Sequence, residues 1–191
     1  MSGVVVRPLN FTVRHLVRRQ RTRFLLLFAA VCVSAHADDK GLANFIAALK
    51  RHTDTAPAPV SLAATDAKDG RDLVLRFTLT NISAKPLPIL DASLPWGSTY
   101  AITWAAITSD GRVLPMTYPI DDPFPGKSIT LAPAQSITGT YDLNRMLERE
   151  AVPHSADIVV LWLYSFPAGP SEKRRDTRPV CSGVTVVHVP Q

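Results

Sequence analysis

The sequence predicts an all-β fold behind a basic and apolar leader, and three observations predict it. Leu73, Leu75, Phe77 and Leu79 alternate with Val74, Arg76, Thr78 and Thr80, a period of two that sets one row of side chains on a buried sheet face. Short runs of this kind recur, with turn residues between them at intervals of about 8 to 12 residues. Helical periodicity is confined to one stretch near the start of the chain and one late turn.

The leader comes first. Arg14, Arg18, Arg19, Arg21 and Arg23 precede the apolar run Phe24 to Val33, and Ser34, Ala35, His36 and Ala37 follow it. A basic region, a short apolar segment and small residues form an export signal, with cleavage expected after Ala37. The apolar run is ten residues, whereas a bilayer span takes roughly 20. The expectation is therefore a periplasmic or secreted protein with no stable membrane span after cleavage. Six of the 21 Lys and Arg residues lie in the leader and all 16 acids follow it, leaving 15 cations against 16 acids, a net charge of −1. Such a chain lacks the basic surface that nucleic acid requires, and no nucleic-acid partner is expected.

After the cut 154 residues remain, enough for one domain with a proper core. Cys181 is the one cysteine among them, so no internal disulfide forms. A buried apolar thiol or an intermolecular link is left.

Residues 38–59 read as a short helix and a proline-rich linker. Leu42, Phe45, Ile46 and Leu49 share one helical face over about residues 39 to 52. Lys50, Arg51 and His52 suit the C-terminal end of the helix dipole. Pro57 and Pro59 prevent continuation.

Residues 60–191 read as the β domain. A strand through Leu73 to Thr80 breaks at Asn81-Ile82-Ser83-Ala84-Lys85-Pro86, and Pro86 and Pro88 confine the next segment to an edge or a crossing. Tyr100, Ile102, Trp104 and Ala106 alternate as a further strand, Asp110-Gly111 fits a hairpin turn, and Arg112-Val113-Leu114 is the return. The segment Pro119 to Gly126 is a loop. Ser128 to Leu131 and Ile137 to Leu143 are strands flanking Ala132-Pro133-Ala134-Gln135, and Asn144 is placed to cap a late helical turn over Arg145 to Glu150. Ile158 to Phe166 is apolar throughout, as in a strand buried on both faces. Val180 to Val189 is rich in β-branched residues. Seven or eight such strands favour an immunoglobulin-like β-sandwich preceded by a short amphipathic helix.

The stretch LRFTLTNISAKPLPIL followed by ITLAPAQSITGTYDL resembles a layout found in exported bacterial sandwich modules. There a strand ends in Thr-Asn-x-Ser-x-Lys-Pro and a later strand follows Leu-Ala-Pro-x-x-Ser. Similar layouts occur in the propeptide-like domain preceding deuterolysin-type metalloendopeptidases and in small sandwich proteinase-inhibitor domains. The resemblance covers about residues 70 to 165. It implies the sandwich fold and an inhibitory or accessory role; no His-Glu-x-x-His motif occurs, so it implies the accessory domain alone. Gln135 stands where such modules often carry glycine.

The residues that could carry chemistry do not assemble into a motif. His52, His154 and His188 lie at a helix end, in a loop and in a strand, without ligand spacing, and no metal or other cofactor is expected. Ser98, Ser136 and Ser182 belong to no nucleophile elbow. Asp121 and Asp122 sit in a proline-rich loop; with Asp142 as their one neighbouring acid they supply too few oxygens for calcium. Asn81-Ile82-Ser83 matches a glycan acceptor, but a turn after a strand explains the same residues.

Three loop features remain as contact candidates. Trp96 is an aromatic among Pro95 and Gly97, Asp121 and Asp122 are adjacent carboxylates, and Arg174 and Arg175 lie in the charged run Glu172 to Arg178 between the last two strands. The expectation is a non-enzymatic binding module that recognises another exported or envelope protein. A structural envelope protein would instead use the helix or Cys181 for assembly. A carbohydrate-binding module would use Trp96, Tyr118 and Tyr141.

Overall fold

The computed structural model describes residues 40–52, 57–67, 73–117, 126–148, 151–152, 157–166 and 179–189. Among these one α-helix, α1 (Lys40–Arg51), precedes eight strands. They are β1 (Val60–Asp66), β2 (Val74–Asn81), β3 (Leu87–Leu90), β4 (Ile102–Thr108), β5 (Ser128–Leu131), β6 (Ser136–Asp142), β7 (Ile158–Ser165) and β8 (Val180–Val187). All strand pairs are antiparallel, and they form three sheets, β1-β2-β6, β3-β5 and β4-β7-β8.

The period of two is realised in β2. Leu75, Phe77 and Leu79 are fully buried, and their partners across the ladder are Tyr141, Gly139 and Ile137 of β6. The opposite face of the same sheet carries Ser61, Thr80 and Ser136 in one row and Ala63, Thr78 and Thr138 in the next. Hydroxyls suit this wetted face, and Thr80 Oγ1 and Ser136 Oγ lie 2.8 Å apart across the strands.

Sheet β4-β7-β8 meets that sheet through aromatic side chains. Phe77 packs edge-to-face with Trp104, ring centroids 5.8 Å apart, and with Trp162 at 5.9 Å, and Trp104 lies tilted against Tyr141 at 5.0 Å. Trp104 and Trp162 are directly opposite across the β4-β7 ladder, and Gly183 of β8 is opposite Trp162. The indole of Trp162 occupies the space where a Gly183 side chain would stand.

β4 departs from the expected alternation. Tyr100 lies outside the strand and is 57% exposed, while Ala105, Ile107 and Thr108 are buried together with Ile102, Trp104 and Ala106. The cause is α1, which lies against β4 and the adjacent part of β7 and buries Leu42, Phe45 and Ala48. Leu161 and Leu163 of β7 are buried too, outside the inter-sheet core. With helix on one face and sheet on the other, β4 and β7 need apolar side chains in both directions. The helix face also differs from the expected one, because Ala48 is buried while Ile46 and Leu49 are half-buried. A helix touches a flat sheet along a narrow line, and the small Ala48 permits close approach there.

Two further expectations are corrected. The return after Asp110-Gly111 is an isolated bridge, Ile107 to Val113, rather than a full strand. The tight turn itself holds, with Gly111 at φ 90° and Thr108 N–H donating to the Arg112 carbonyl at 2.9 Å. Of the late helical turn expected over Arg145 to Glu150, residues 149 and 150 lie outside the described residues; the described residues form a 3₁₀ turn at Leu143–Arg145 capped by Asp142, whose Oδ1 accepts from Asn144 N–H at 2.9 Å. Asn144 therefore donates to the cap. Burial of Leu143 at the end of β6 starts the turn earlier than the polar pattern suggests.

One long side of the two facing sheets is closed by β1 and β8. Pro57 pairs in parallel with Val180, Cys181 Sγ donates to the Val60 carbonyl at 3.3 Å, and Thr185 Oγ1 donates to the Ala64 carbonyl at 3.3 Å. Trp162 Nε1 donates to the same Thr185 hydroxyl at 3.2 Å. Ala64, Thr185 and Trp162 thus form a relay from one sheet into the other. Among the described residues no helix is long and apolar enough to cross a membrane.

Candidate functional site

The Thr-Asn-x-Ser-x-Lys-Pro stretch folds into a junction between sheets. Asn81 ends β2 with no exposed surface. Its Nδ2 donates to the Lys85 carbonyl at 2.8 Å and to the Leu131 carbonyl at 3.0 Å. Its Oδ1 accepts from Ser83 N–H at 2.9 Å and Ser83 Oγ at 2.7 Å. One amide side chain therefore ties the end of β2 to the turn before β3 and to the end of β5. The buried and doubly engaged Nδ2 is not available as a glycan acceptor.

The Ala132–Gln135 turn docks on the same residue, with Asn81 N–H donating to the Gln135 carbonyl at 3.0 Å and Ala134 N–H donating to the Asn81 carbonyl at 2.9 Å. Gln135 Oε1 accepts from Ala132 N–H at 2.8 Å and closes the turn. The left-handed position is Ala134, at φ 63°, and not Gln135.

Trp96 is half-buried and packs against the inter-sheet core. Its indole fills the space a side chain at Gly139 would need. Gly139 stands opposite the buried Phe77, so Trp96 enters between the sheets beside β6. Gly139 and Gly183 play the same part, each admitting one indole; lone glycines within strand patterns were the signal for this. Tyr141, considered above as a sugar platform, is buried and its hydroxyl donates to Met146 Sδ.

The other contact candidates lie outside the described residues, namely Asp121, Asp122, Arg174 and Arg175, as do Tyr118, His154 and the cleavage residue Ala37. The flanks of their segments are described. Phe166 N–H donates to the Pro179 carbonyl at 2.9 Å, closing the β7-β8 ladder at the ends from which residues 167–178 run. That is the end of the sheet at which β4 begins, since Ile102 pairs with Tyr164 and Tyr164 with Cys181. On the Asp121-Asp122 segment, Gly126 abuts Asp91 and Ala92, and Asp91 N–H donates to the Lys127 carbonyl at 2.9 Å.

At the opposite end of the sheet the structure brings together a pair that sequence spacing did not show. His188 Nδ1 lies 2.8 Å from Asp157 Oδ1, and His188 N–H donates to Asp66 Oδ2 at 3.1 Å. The residues meet because Ile158 pairs with Val187, so β7 starts where β8 ends. Both side chains are about half exposed, and no third metal-ligating group joins them among the described residues. The pair clasps three strand ends.

The two titratable groups facing Val60 and Ser93 are held in their neutral forms. Burial pushes the Cys181 thiol up to about 11, so it is a weak nucleophile at neutral pH. Burial also raises the Tyr164 phenol well above its ordinary range, and its hydroxyl donates to the Ser93 carbonyl at 2.9 Å. At the β4 turn, the hydroxyl of Thr108 donates to Asp110 Oδ1 and holds that carboxyl below its usual range. No protein-family model matches the chain, and no curated protein matches it.

Proposed function

We propose that the chain is an exported immunoglobulin-like β-sandwich that binds another protein and catalyses no reaction. Support for the sandwich comes from strand order. Sheets β1-β2-β6 and β4-β7-β8 correspond to strands A-B-E and C-F-G of that architecture. The leader supports export, to the periplasm or beyond.

One observation carries the binding reading. The β7-β8 ladder is closed by the Phe166–Pro179 bond, where a hairpin needs only about 2 to 5 residues. The chain instead spends the twelve residues 167–178 there, six of them charged (Glu172, Lys173, Arg174, Arg175, Asp176, Arg178) with a net charge of +2. In sandwiches of this class the corresponding F-G connection carries binding residues on a rigid scaffold. The excess of arginine suits an acidic protein surface, to which guanidinium groups bond in bidentate fashion. The hydrogen bonds of Asn81 and Thr185 join strands to one another, which accords with a scaffold role.

The test is capture of exported and envelope proteins on the protein released by cleavage after Ala37, with Arg174→Ala/Arg175→Ala as the control. A stoichiometric protein with an acidic surface, lost from the variant, supports the reading, and inhibition of that protein's activity then becomes the next assay. Equal capture by both proteins, or none by either, sinks it.

A further inference from the structure

β6 is an outer strand of sheet β1-β2-β6. An edge strand leaves a row of backbone N–H and C=O groups free to pair with another strand, and folded proteins commonly block such rows with proline, lysine, short length or a covering segment. The other strand edges described here carry such a device along all or part of their length. β1 and β8 are joined by the Cys181 and Thr185 bonds and the Pro57–Val180 bridge. The second half of β4 is covered by the return segment, where Leu114 N–H donates to the Ala106 carbonyl at 2.8 Å. β3 is four residues long and contains Pro88, and β5 is equally short and follows Lys127.

β6 has none of these. Its sequence SITGTYD runs seven residues without proline or lysine. It pairs with β2 alone, and among the described residues no other strand lies alongside it.

We propose that two copies pair antiparallel along β6 and form one continuous six-stranded sheet. The strand is suited to meeting itself. With the two-fold axis at Gly139, Thr138 of one copy faces Thr140 of the other and Ile137 faces Tyr141, and no like charges are opposed. Two observations favour a second copy over an unrelated strand, namely this near-palindromic match and the half-buried Trp96 beside Gly139. By symmetry the seam would hold two such indoles, of the kind that anchors interfaces. The inference uses β6 and Trp96 and none of residues 167–178, so it stands apart from the proposed binding function.

Sedimentation velocity of the purified protein over a concentration series tests it, with circular dichroism melts to establish folding. Thr138 and Thr140 are exposed, so lysine is tolerated at either. Thr138→Lys/Thr140→Lys opposes like charges twice across the seam and raises the dimer dissociation constant by about tenfold. Thr138→Lys/Thr140→Glu opposes unlike charges in the same register and restores association. A protein that is monomeric throughout the series overturns the proposal. So does a dimer that the two double variants affect equally.

Discussion

Replacing Asn81 by alanine removes a side chain that makes four hydrogen bonds in a site without solvent exposure. The bond to the Leu131 carbonyl is buried. Its loss costs about 1.5 kcal/mol, the upper end for a neutral net bond, because the site is buried. The three partly buried bonds, to Lys85 and Ser83, add about 0.5 kcal/mol each where water replaces the partner. The expected loss is therefore about 3 kcal/mol, a large part of the stability of an ordinary domain. Ser83→Ala keeps the buried bond and should cost about 1 kcal/mol. Asn81→Asp keeps the acceptor but turns carboxylate oxygens toward two carbonyls, and should be at least as damaging as alanine. Equilibrium urea unfolding followed by tryptophan fluorescence reads all three, with the change taken from the midpoint at constant slope. An Asn81→Ala loss below about 1 kcal/mol, or one equal to that of Ser83→Ala, would refute the claim that one amide holds the junction.

Two other outcomes follow from the core and its thiol. Gly183→Ala sets a methyl into the Trp162 indole and should destabilise by about 1 to 3 kcal/mol through overpacking, while Gly183→Ala/Trp162→Phe should recover part of that loss; no recovery would place the cost in the backbone instead. Cys181 binds its proton more tightly in the folded state, up to about 11. Its contribution is therefore complete below the unfolded value near 9 and is lost as pH rises through 9 to 11, on the order of 2 kcal/mol. Cys181→Ala should flatten the stability profile in that window, and identical alkaline profiles for the two proteins would show that the thiol is not held by burial.

The junction also explains what the family-like motif is. The polar residues of Thr-Asn-x-Ser-x-Lys-Pro that the structure engages are engaged within the sheet junction: Asn81 with the Lys85 and Leu131 carbonyls, Ser83 Oγ with Asn81 Oδ1 and with the Lys85 carbonyl at 2.9 Å, and Thr80 Oγ1 with Ser136 Oγ of the neighbouring strand. A motif of this kind is maintained by sheet connection and carries information about architecture. The readings of function rest instead on the connections between strands, above all residues 167–178.

What the sequence by itself determined is the local periodicity and the composition. The alternation of Leu73 to Leu79, the apolar run of β7, the α1 pattern and the turn at Asp110-Gly111 can each be read within a window of ten residues, because side-chain direction in one strand or helix is a local property. Which strands become neighbours was decided only in three dimensions. β5 follows β4 and precedes β6, yet pairs with β3; Gly139 and Gly183 acquire meaning only when Trp96 and Trp162 are packed against them; and His188 meets Asp157 only because β8 ends beside the start of β7. The burial of Ala105 and Ile107 likewise depends on α1 lying across β4, more than fifty residues away in sequence. Packing and long-range hydrogen bonds are pair properties of residues distant in the chain, and no single stretch of the sequence encodes both members of the pair.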